Sequence, residues 1–286
     1  MKVVPEYRYR LVNVFTLSGD PFSGNPLAVF EDASGLDDAT MQALALQFNL
    51  SETTFILPSG KATARARIFT PDFEMPFAGH PTLGTAHVVR ALNPGREALT
   101  LETKAGVISV SAQGDTWTLQ ANAPQWRAVD ATREQLAAML SVAVEDVGAK
   151  PLWVDTGSEQ LIIPLNSSAA VARCKPAGAL LERYGRRADG RYLAYVWAEA
   201  GSNEVAARFF FPKGGAVSED PATGSACANL GGWFVATGVD LPLTRSVRQG
   251  EAVRRPSRLN LAVDVAQRVF VSGEVIALGH GIITLP

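Results

Sequence analysis

Apolar positions along the chain alternate between two periods. β-Branched and aromatic runs mark strands at Tyr9–Thr16, Leu27–Phe30, Thr53–Leu57 and Ala64–Phe69. Between them Met41, Leu44, Ala45 and Phe48 fall at i, i+3, i+4 and i+7, which predicts an amphipathic helix over Asp37–Phe48 ending at Asn49. A second helix, opened by His80, is apolar nearly all round through Val88, Val89 and Leu92, a pattern that predicts burial on most sides. The runs ALTLET, GVISVSA and TWTLQAN, separated by turns at Gly106 and Gly114, then read as an antiparallel meander.

The pattern resets near APQW, Ala123–Trp126, which reads as a linker. A helix over Thr132–Leu140, strands at Leu152–Val154 and Glu159–Pro164, and a helix near Ala177–Tyr184 follow. The strands YLAYVWA and VAARFFF then lead into a buried helix over Thr223–Thr237. A second meander is expected from LNLAVDV, RVFVSG and EVIALG, with a final strand at Ile282–Leu285 that can return to the first half. The order of elements is the same twice, so two α+β domains are expected, 1–123 and 124–286, each with strands wrapping one buried helix.

Local letters repeat as well. HPTLGTA (80–86) and DPATGSA (220–226) match at a constant offset of 220 − 80 = 140, each after an aromatic strand ending in proline. Both copies read as helix N-termini, where backbone N–H groups without intrahelical partners and the positive end of the helix dipole seat a carboxylate or phosphate. Two such ends facing each other would make a binding cleft.

Composition narrows the function. Of 286 residues, 47% are hydrophobic and 19% charged, with mean hydropathy +0.08, as in an ordinary globular chain. A net charge of −2 and short basic pieces at 183–187 and 254–258 give no reason to expect nucleic acid. No apolar run reaches membrane-span length, and MKVVPEYRYR lacks the apolar core of a signal peptide, so a cytoplasmic protein is expected. Cys174 and Cys227 read as buried thiols, and His80, His87 and His280 are too scattered for a metal site.

The chemistry-bearing candidates are Glu52 at a strand entry, His80 at one helix end, and Asp220 and Ser225 at the other. Two carboxylates and an imidazole converging on an anion seat suit general acid–base proton transfer beside a substrate carboxylate. Plainer roles stand beside these. Asp220 and His80 serve equally as helix caps, Ser225 as a locally bonded hydroxyl and Glu52 as a solvated charge, while the GNP at 24–26 reads either as a turn that aims the next strand or as a loop beside a cleft. There is no GxSxG elbow and no Gly-rich nucleotide fingerprint.

Taken together, GNPLAV, SETTF, FAGHPTLGTAHVV, EDPATGSA and QGEAVRRPS, in this order and over essentially the whole chain, resemble the phenazine-biosynthesis PhzF-like isomerases. The resemblance implies the fold of diaminopimelate epimerase, two similar domains each with a β-barrel around a central helix and an active site between them. It implies an isomerase without cofactor or metal, often a homodimer, acting on a small carboxylate such as trans-2,3-dihydro-3-hydroxyanthranilate. It makes Glu52 the acid/base, His80 and Asp220 orienting residues, and Gly79, Gly224 and Ser225 the carboxylate seat. Racemases on this fold use a thiol at each helix end, and here those turns read AGHPT and PATGS. The alternatives are a racemase or epimerase, or a non-catalytic binding protein on the same scaffold. Trp153, Trp197, Phe209 and Phe211 either line a pocket or pack beneath one.

Overall fold

The computed structural model describes residues 5–285. Met1–Val4 of the N-terminal stretch weighed above as a leader lie outside the described residues, as does Pro286. The chain divides into two compact units, Met1–Leu119 with Ser272–Pro286, and Gln120–Val271.

In the first unit the strands are β1 (Glu6–Thr16), β2 (Asn25–Phe30), β3 (Glu52–Leu57), β4 (Ala64–Phe69), β5 (Glu74–Met75), β6 (Ala98–Thr103), β7 (Gly106–Gln113) and β8 (Thr116–Gln120). The helices are α1 (Asp38–Phe48) and α2 (Gly79–Leu92). β1–β2 is antiparallel, β2–β3 parallel, β3–β4 antiparallel, β4–β6 parallel, and β6–β7–β8 an antiparallel meander. A long last strand lies between β8 and β1 and closes a barrel of eight strands. Helix α2 sits against β1, β2, β3, β4 and β6 with its first eight residues buried, as its apolar surface requires. Helix α1 covers the other face of β2–β4 through Met41, Leu44 and Ala45 against Phe30, Phe55 and Phe69. Covered on both faces, β2 reads as a continuous apolar run instead of alternating. Asp37 caps α1 by accepting from Thr40 N at 2.8 Å, and Asn49 ends it in the left-handed conformation.

The second unit holds β9 (Gln125–Ala128), α3 (Arg133–Leu140), β10 (Leu152–Asp155), β11 (Gln160–Pro164), α4 (Ser168–Arg173), α5 (Gly178–Tyr184), β12 (Ala194–Glu199), β13 (Glu204–Lys213), β14 (Ala216–Asp220), α6 (Gly224–Thr237), β15 (Leu243–Gln249) and β16 (Ser257–Val263). β17 (Val269–Thr284) starts here and continues as the closing strand of the first unit. The connectivity repeats the first: β10–β11 antiparallel, β11–β12 parallel, β12–β13 antiparallel, β13–β15 parallel, β15–β16 antiparallel, around α6. Helices α3, α4 and α5 cover one face with Leu136, Leu140, Val171 and Leu181 against Trp153, Leu161, Ile163 and Val196.

Several elements differ from expectation. Gln125 and Trp126 of the linker stretch are paired in β9. RVFVSG and EVIALG belong to one strand, β17, whose inward side chains keep alternating through Val269, Val271 and Val275. The missing partner of that meander is β15, LTRSVRQ, which offers only Leu243 and Val247 as apolar markers. Short α4, β5 and β14 have too few residues to show a period.

The repeat also has another register. The fold aligns Glu74 with Glu219 and Gly79 with Gly224, since 219 − 74 and 224 − 79 both give 145. Phe69 pairs with Glu74 and Phe210 with Glu219 across matching hairpins, and helices of 14 residues follow in each unit. Arg67 grips Glu74 at 2.7 Å as Arg208 grips Glu219 at 2.6 Å. The arginines differ by 208 − 67 = 141, so the second hairpin is four residues longer and no constant offset spans it. EMPFAGH therefore corresponds to EDPATGS. The letters shared at 140 are residues that suit any helix start.

Burying α6 this tightly depends on glycine. A Cβ at Gly231 would stand 2.7 Å from Val269 Cγ1 and 3.0 Å from Leu261 Cδ1. Gly231→Ala should cost a net of about 1–2 kcal/mol in urea unfolding, overpacking outweighing the gain of about 1 kcal/mol in helix propensity. Gly201→Ala, whose Cβ meets nothing closer than 3.7 Å, is the control, and equal midpoints for the two variants would refute the packing argument.

Candidate active site

In the first unit the parallel register of β2 and β3, Leu27 opposite Glu52, sets Asn25 and Glu52 at the same end of adjoining strands. The first turn of α2 brings His80 to both. Asn25 Nδ2 is 3.4 Å from His80 Nδ1, and His80 Nε2 is 3.4 Å from Glu52 Oε2. Asn25 is fully buried, and His80 and Glu52 keep only 4% and 15% of their side-chain exposure. Glu52 is therefore not a solvated charge, and His80 is not a cap, because the cap position of α2 is Ala78.

Burial drives His80 down from 6.5 to about 3, so the imidazole is neutral at physiological pH. Its proximity to Glu52 is thus that of a neutral ring nitrogen to a carboxyl oxygen and not an ion pair. At 3.4 Å both contacts of the ring lie at the long end of hydrogen-bonding distance. Deeper in the barrel Thr85 Oγ1 donates to Thr54 Oγ1 at 2.8 Å.

In the second unit Asp220 ends β14, and Pro221–Thr223 form an extended connection before α6 starts at Gly224. Asp220 is not the cap of α6; that position is Thr223, whose side chain makes no capping bond. Instead Thr223 Oγ1 donates to Asp220 Oδ2 at 2.6 Å. Gln249 fixes that direction, its Nε2 donating to Asp220 O at 2.9 Å and to Thr223 Oγ1 at 3.0 Å. Next to it Gly250 has φ +82°, and a Cβ there would lie 2.5 Å from Pro221 O and 2.2 Å from Arg255 O. The QG of QGEAVRRPS thus clamps the DPAT turn. Ser225 Oγ accepts from Gln160 Nε2 at 2.9 Å, and Gln160 Oε1 accepts from Asn229 Nδ2 at 2.8 Å. Asn229 Oδ1 accepts from Thr156 N and Oγ1 at 2.8 and 2.7 Å.

Of the residues singled out from sequence, Glu52, Gly79 and His80 gather at one helix start and Asp220, Gly224 and Ser225 at the other, each set within its own unit. Gln160 and Asn229 were not singled out from sequence, and Asn25 and Gln249 entered only within the motifs GNPLAV and QGEAVRRPS. Their signal was polarity in apolar company, as with Asn229 inside SACANLGG. Trp153 and Trp197 are core residues, Trp197 packing on Trp233 and Phe234, while half-buried Phe211 stacks on Phe209. Both cysteines are buried, Cys174 pushed up to about 12 by desolvation and Cys227 raised further by the same cause. Among the described residues no group of three or more His, Cys, Asp or Glu could hold a metal ion, and no helix is long and apolar enough to cross a membrane. A cavity of about 240 Å³ bordered by Asn122, Trp126 and Arg268 contains none of the site residues.

The family described as phenazine biosynthesis-like protein matches residues 12–281. An uncharacterised isomerase of Pasteurella multocida is 41% identical over 284 residues, which cover 98% of this chain and 95% of that protein. Trans-2,3-dihydro-3-hydroxyanthranilate isomerase of Pseudomonas chlororaphis is 33% identical over 290 residues, 98% of this chain and all (100%) of that one. The crystal structure of a Bacillus anthracis phenazine biosynthesis protein of the PhzF family matches with a TM-score of 0.86 at 24% identity, covering 98% of this chain and 100% of that one.

Neutral, buried His80 makes stability depend on pH. Between 6.5 and about 3 the unfolded chain binds a proton that the folded chain refuses, so stability rises with pH over that window and is lost as pH falls below 6.5. The limiting slope is about 1.4 kcal/mol per pH unit. His87, also lowered by burial, adds in the same direction. The stability gap between the wild type and His80→Gln, from urea unfolding at about pH 7 and about pH 5, should shrink or reverse at the lower pH; a constant gap would contradict a neutral His80.

Proposed function

The chain belongs to the PhzC-PhzF family, and on that premise we propose that this isomerase moves a proton between carbons of a small carboxylate-bearing substrate, with Glu52 as acid/base and without a cofactor. The observation that carries the reading is the Asn25–His80–Glu52 cluster, a nearly buried carboxyl beside a neutral imidazole. The Glu52 carboxylate takes a proton from an sp³ carbon, and the C–H electron pair forms a new C=C bond while the neighbouring π pair shifts toward the far carbon. The resulting carboxylic acid returns the proton to the far carbon of the displaced π system. Atoms and electrons balance, and Glu52 ends as it began, so nothing further is consumed. A substrate resembling trans-2,3-dihydro-3-hydroxyanthranilate, the compound named for the Pseudomonas chlororaphis relative, has the needed unsaturation and carboxylate.

His80 is an orienting residue in this reading, with the first-turn backbone at Gly79 a carboxylate seat, and the second unit offers the same roles at Asp220 and at Gly224 with the Ser225 hydroxyl. Neither helix start has a side-chain cap at Ala78 or Thr223, which suits an anionic ligand in that place. A two-thiol racemase is disfavoured because those cap positions carry no sulfur and desolvation keeps both cysteines protonated. A cytoplasmic homodimer is part of the same proposal, resting on family resemblance and testable by light scattering and cell fractionation.

Incubating the protein with unsaturated amino and hydroxy acids in D₂O should place deuterium on carbon by NMR, and Glu52→Gln should lower that rate by at least about 10²-fold. Full exchange in the variant would remove Glu52 from the mechanism. A methyl ester of an accepted acid should bind at least about 10-fold more weakly, since the helix-start amides bond most strongly to a charged acceptor. Equal affinity for acid and ester would count against the carboxylate seat.

A further inference from the structure

We propose that Asn25 is a positioning residue of this site, whose side-chain amide fixes His80 as the Nε2–H tautomer and so directs the single imidazole proton at Glu52 Oε2. The inference rests on Glu52 being the acid/base. An amide nitrogen only donates, so the ring nitrogen facing Asn25 Nδ2 at 3.4 Å must accept, which leaves Nδ1 bare. Burial keeps the ring neutral, with one proton to place, and that proton then sits on Nε2, 3.4 Å from Glu52 Oε2. In a neutral histidine the partner of one nitrogen decides the state of the other.

The segment ahead of Asn25 is built to hold the amide in place. Ser23 Oγ donates to Asp20 O at 2.6 Å and accepts from Leu17 N at 2.8 Å, and Asn13 Nδ2 donates to Pro21 O at 2.7 Å. Gly24 has φ +76°, and a Cβ there would lie 2.6 Å from Val14 O, so the approach of this turn to β1 admits only glycine. Asn25 then enters β2 opposite Val14. The second unit makes the parallel arrangement with different letters. His80 corresponds to Ser225, and Ser225 is likewise tied to a strand-start amide, that of Gln160. In both units the second residue of the buried helix takes its orientation from a carboxamide on the neighbouring strand.

The consequence for catalysis is directional. With the proton on Nε2, His80 donates to the Glu52 carboxylate when it is charged. With the proton on Nδ1, the bare Nε2 would face the carboxylate lone pairs and repel it.

The test is ¹⁵N–¹H correlation of histidine-labelled protein at about pH 7, with the His80 signals assigned by their loss in His80→Gln. The wild type should show a protonated Nε2 and a bare Nδ1. Asn25→Asp, which supplies an acceptor of the same shape, should transfer the proton to Nδ1 and lower kcat at least about 10-fold with KM changed less than about 3-fold. Asn25→Leu should leave a mixture of tautomers. A wild-type proton on Nδ1, or an Asn25→Asp protein still protonated on Nε2, overturns the inference, and the wild-type spectrum decides even if a variant fails to fold. A reversed tautomer in a protein whose deuterium exchange still depends on Glu52 overturns this inference alone. The expected tautomer without Glu52-dependent exchange removes the acid/base reading instead and supports the tautomer assignment.

Discussion

A helix enclosed by strands can bring its backbone close to them only where its side chains are small, and polar groups at its ends must find partners inside the fold. Both constraints act on α2 and α6. Gly84 meets Leu27, Val14 and Val12, and Gly231 meets Val269, Leu261 and Val263, at distances a Cβ could not keep without moving them. Buried polar side chains gather where each helix begins, bonded mainly to one another and to the incoming chain. Much of the buried polar inventory lies there: Asn25, His80 and Thr82 in one unit, Gln160, Asp220 and Gln249 in the other. The location of the candidate site follows from the fold before any reaction is considered.

The two helix starts are not equally taut. Around Asp220 the bonds run from 2.6 to 3.0 Å and close on themselves, with Gln249 holding the backbone of Asp220 and the hydroxyl that binds its carboxylate. Such a group is fixed for orientation. The contact between Glu52 and the imidazole is longer, at 3.4 Å.

Much of this was legible in the sequence, and the remainder was hidden for definable reasons. Long periodic elements stood out because burial imposes a period, as with Met41, Leu44 and Ala45 of α1. The family motifs placed Glu52 and His80 on elements that the fold brings into contact. What failed depended on pairing instead of period. β15 is a strand because β13 and β16 flank it, and its own residues, LTRSVRQ, hardly say so. Gln125 and Trp126 looked like a linker because β9 is exposed along its whole length and has no core pattern to show. Asn25 was hidden by its setting, since the GNP of a turn and the GNP of a site have the same letters, and only the distance to His80 Nδ1 separates them.

The corrected repeat register sharpens the asymmetry. Aligned through Arg67–Glu74 and Arg208–Glu219, Phe55 opposite Arg67 matches Val196 opposite Arg208, so Glu52 corresponds to Leu193 and His80 to Ser225. Asp220 corresponds to Met75. Glu52 and His80 thus have an aliphatic side chain and a hydroxyl as counterparts, and the clamped carboxylate of Asp220 has a thioether. A symmetric scaffold with a titratable group at matching positions would suit chemistry that treats two faces of a carbon alike. Here the ionisable groups occupy non-matching positions of the repeat, and only one of them lies beside a neutral imidazole. The two helix starts therefore carry different chemistry, a carboxyl beside a neutral imidazole in one unit and a carboxylate bonded to a threonine hydroxyl in the other.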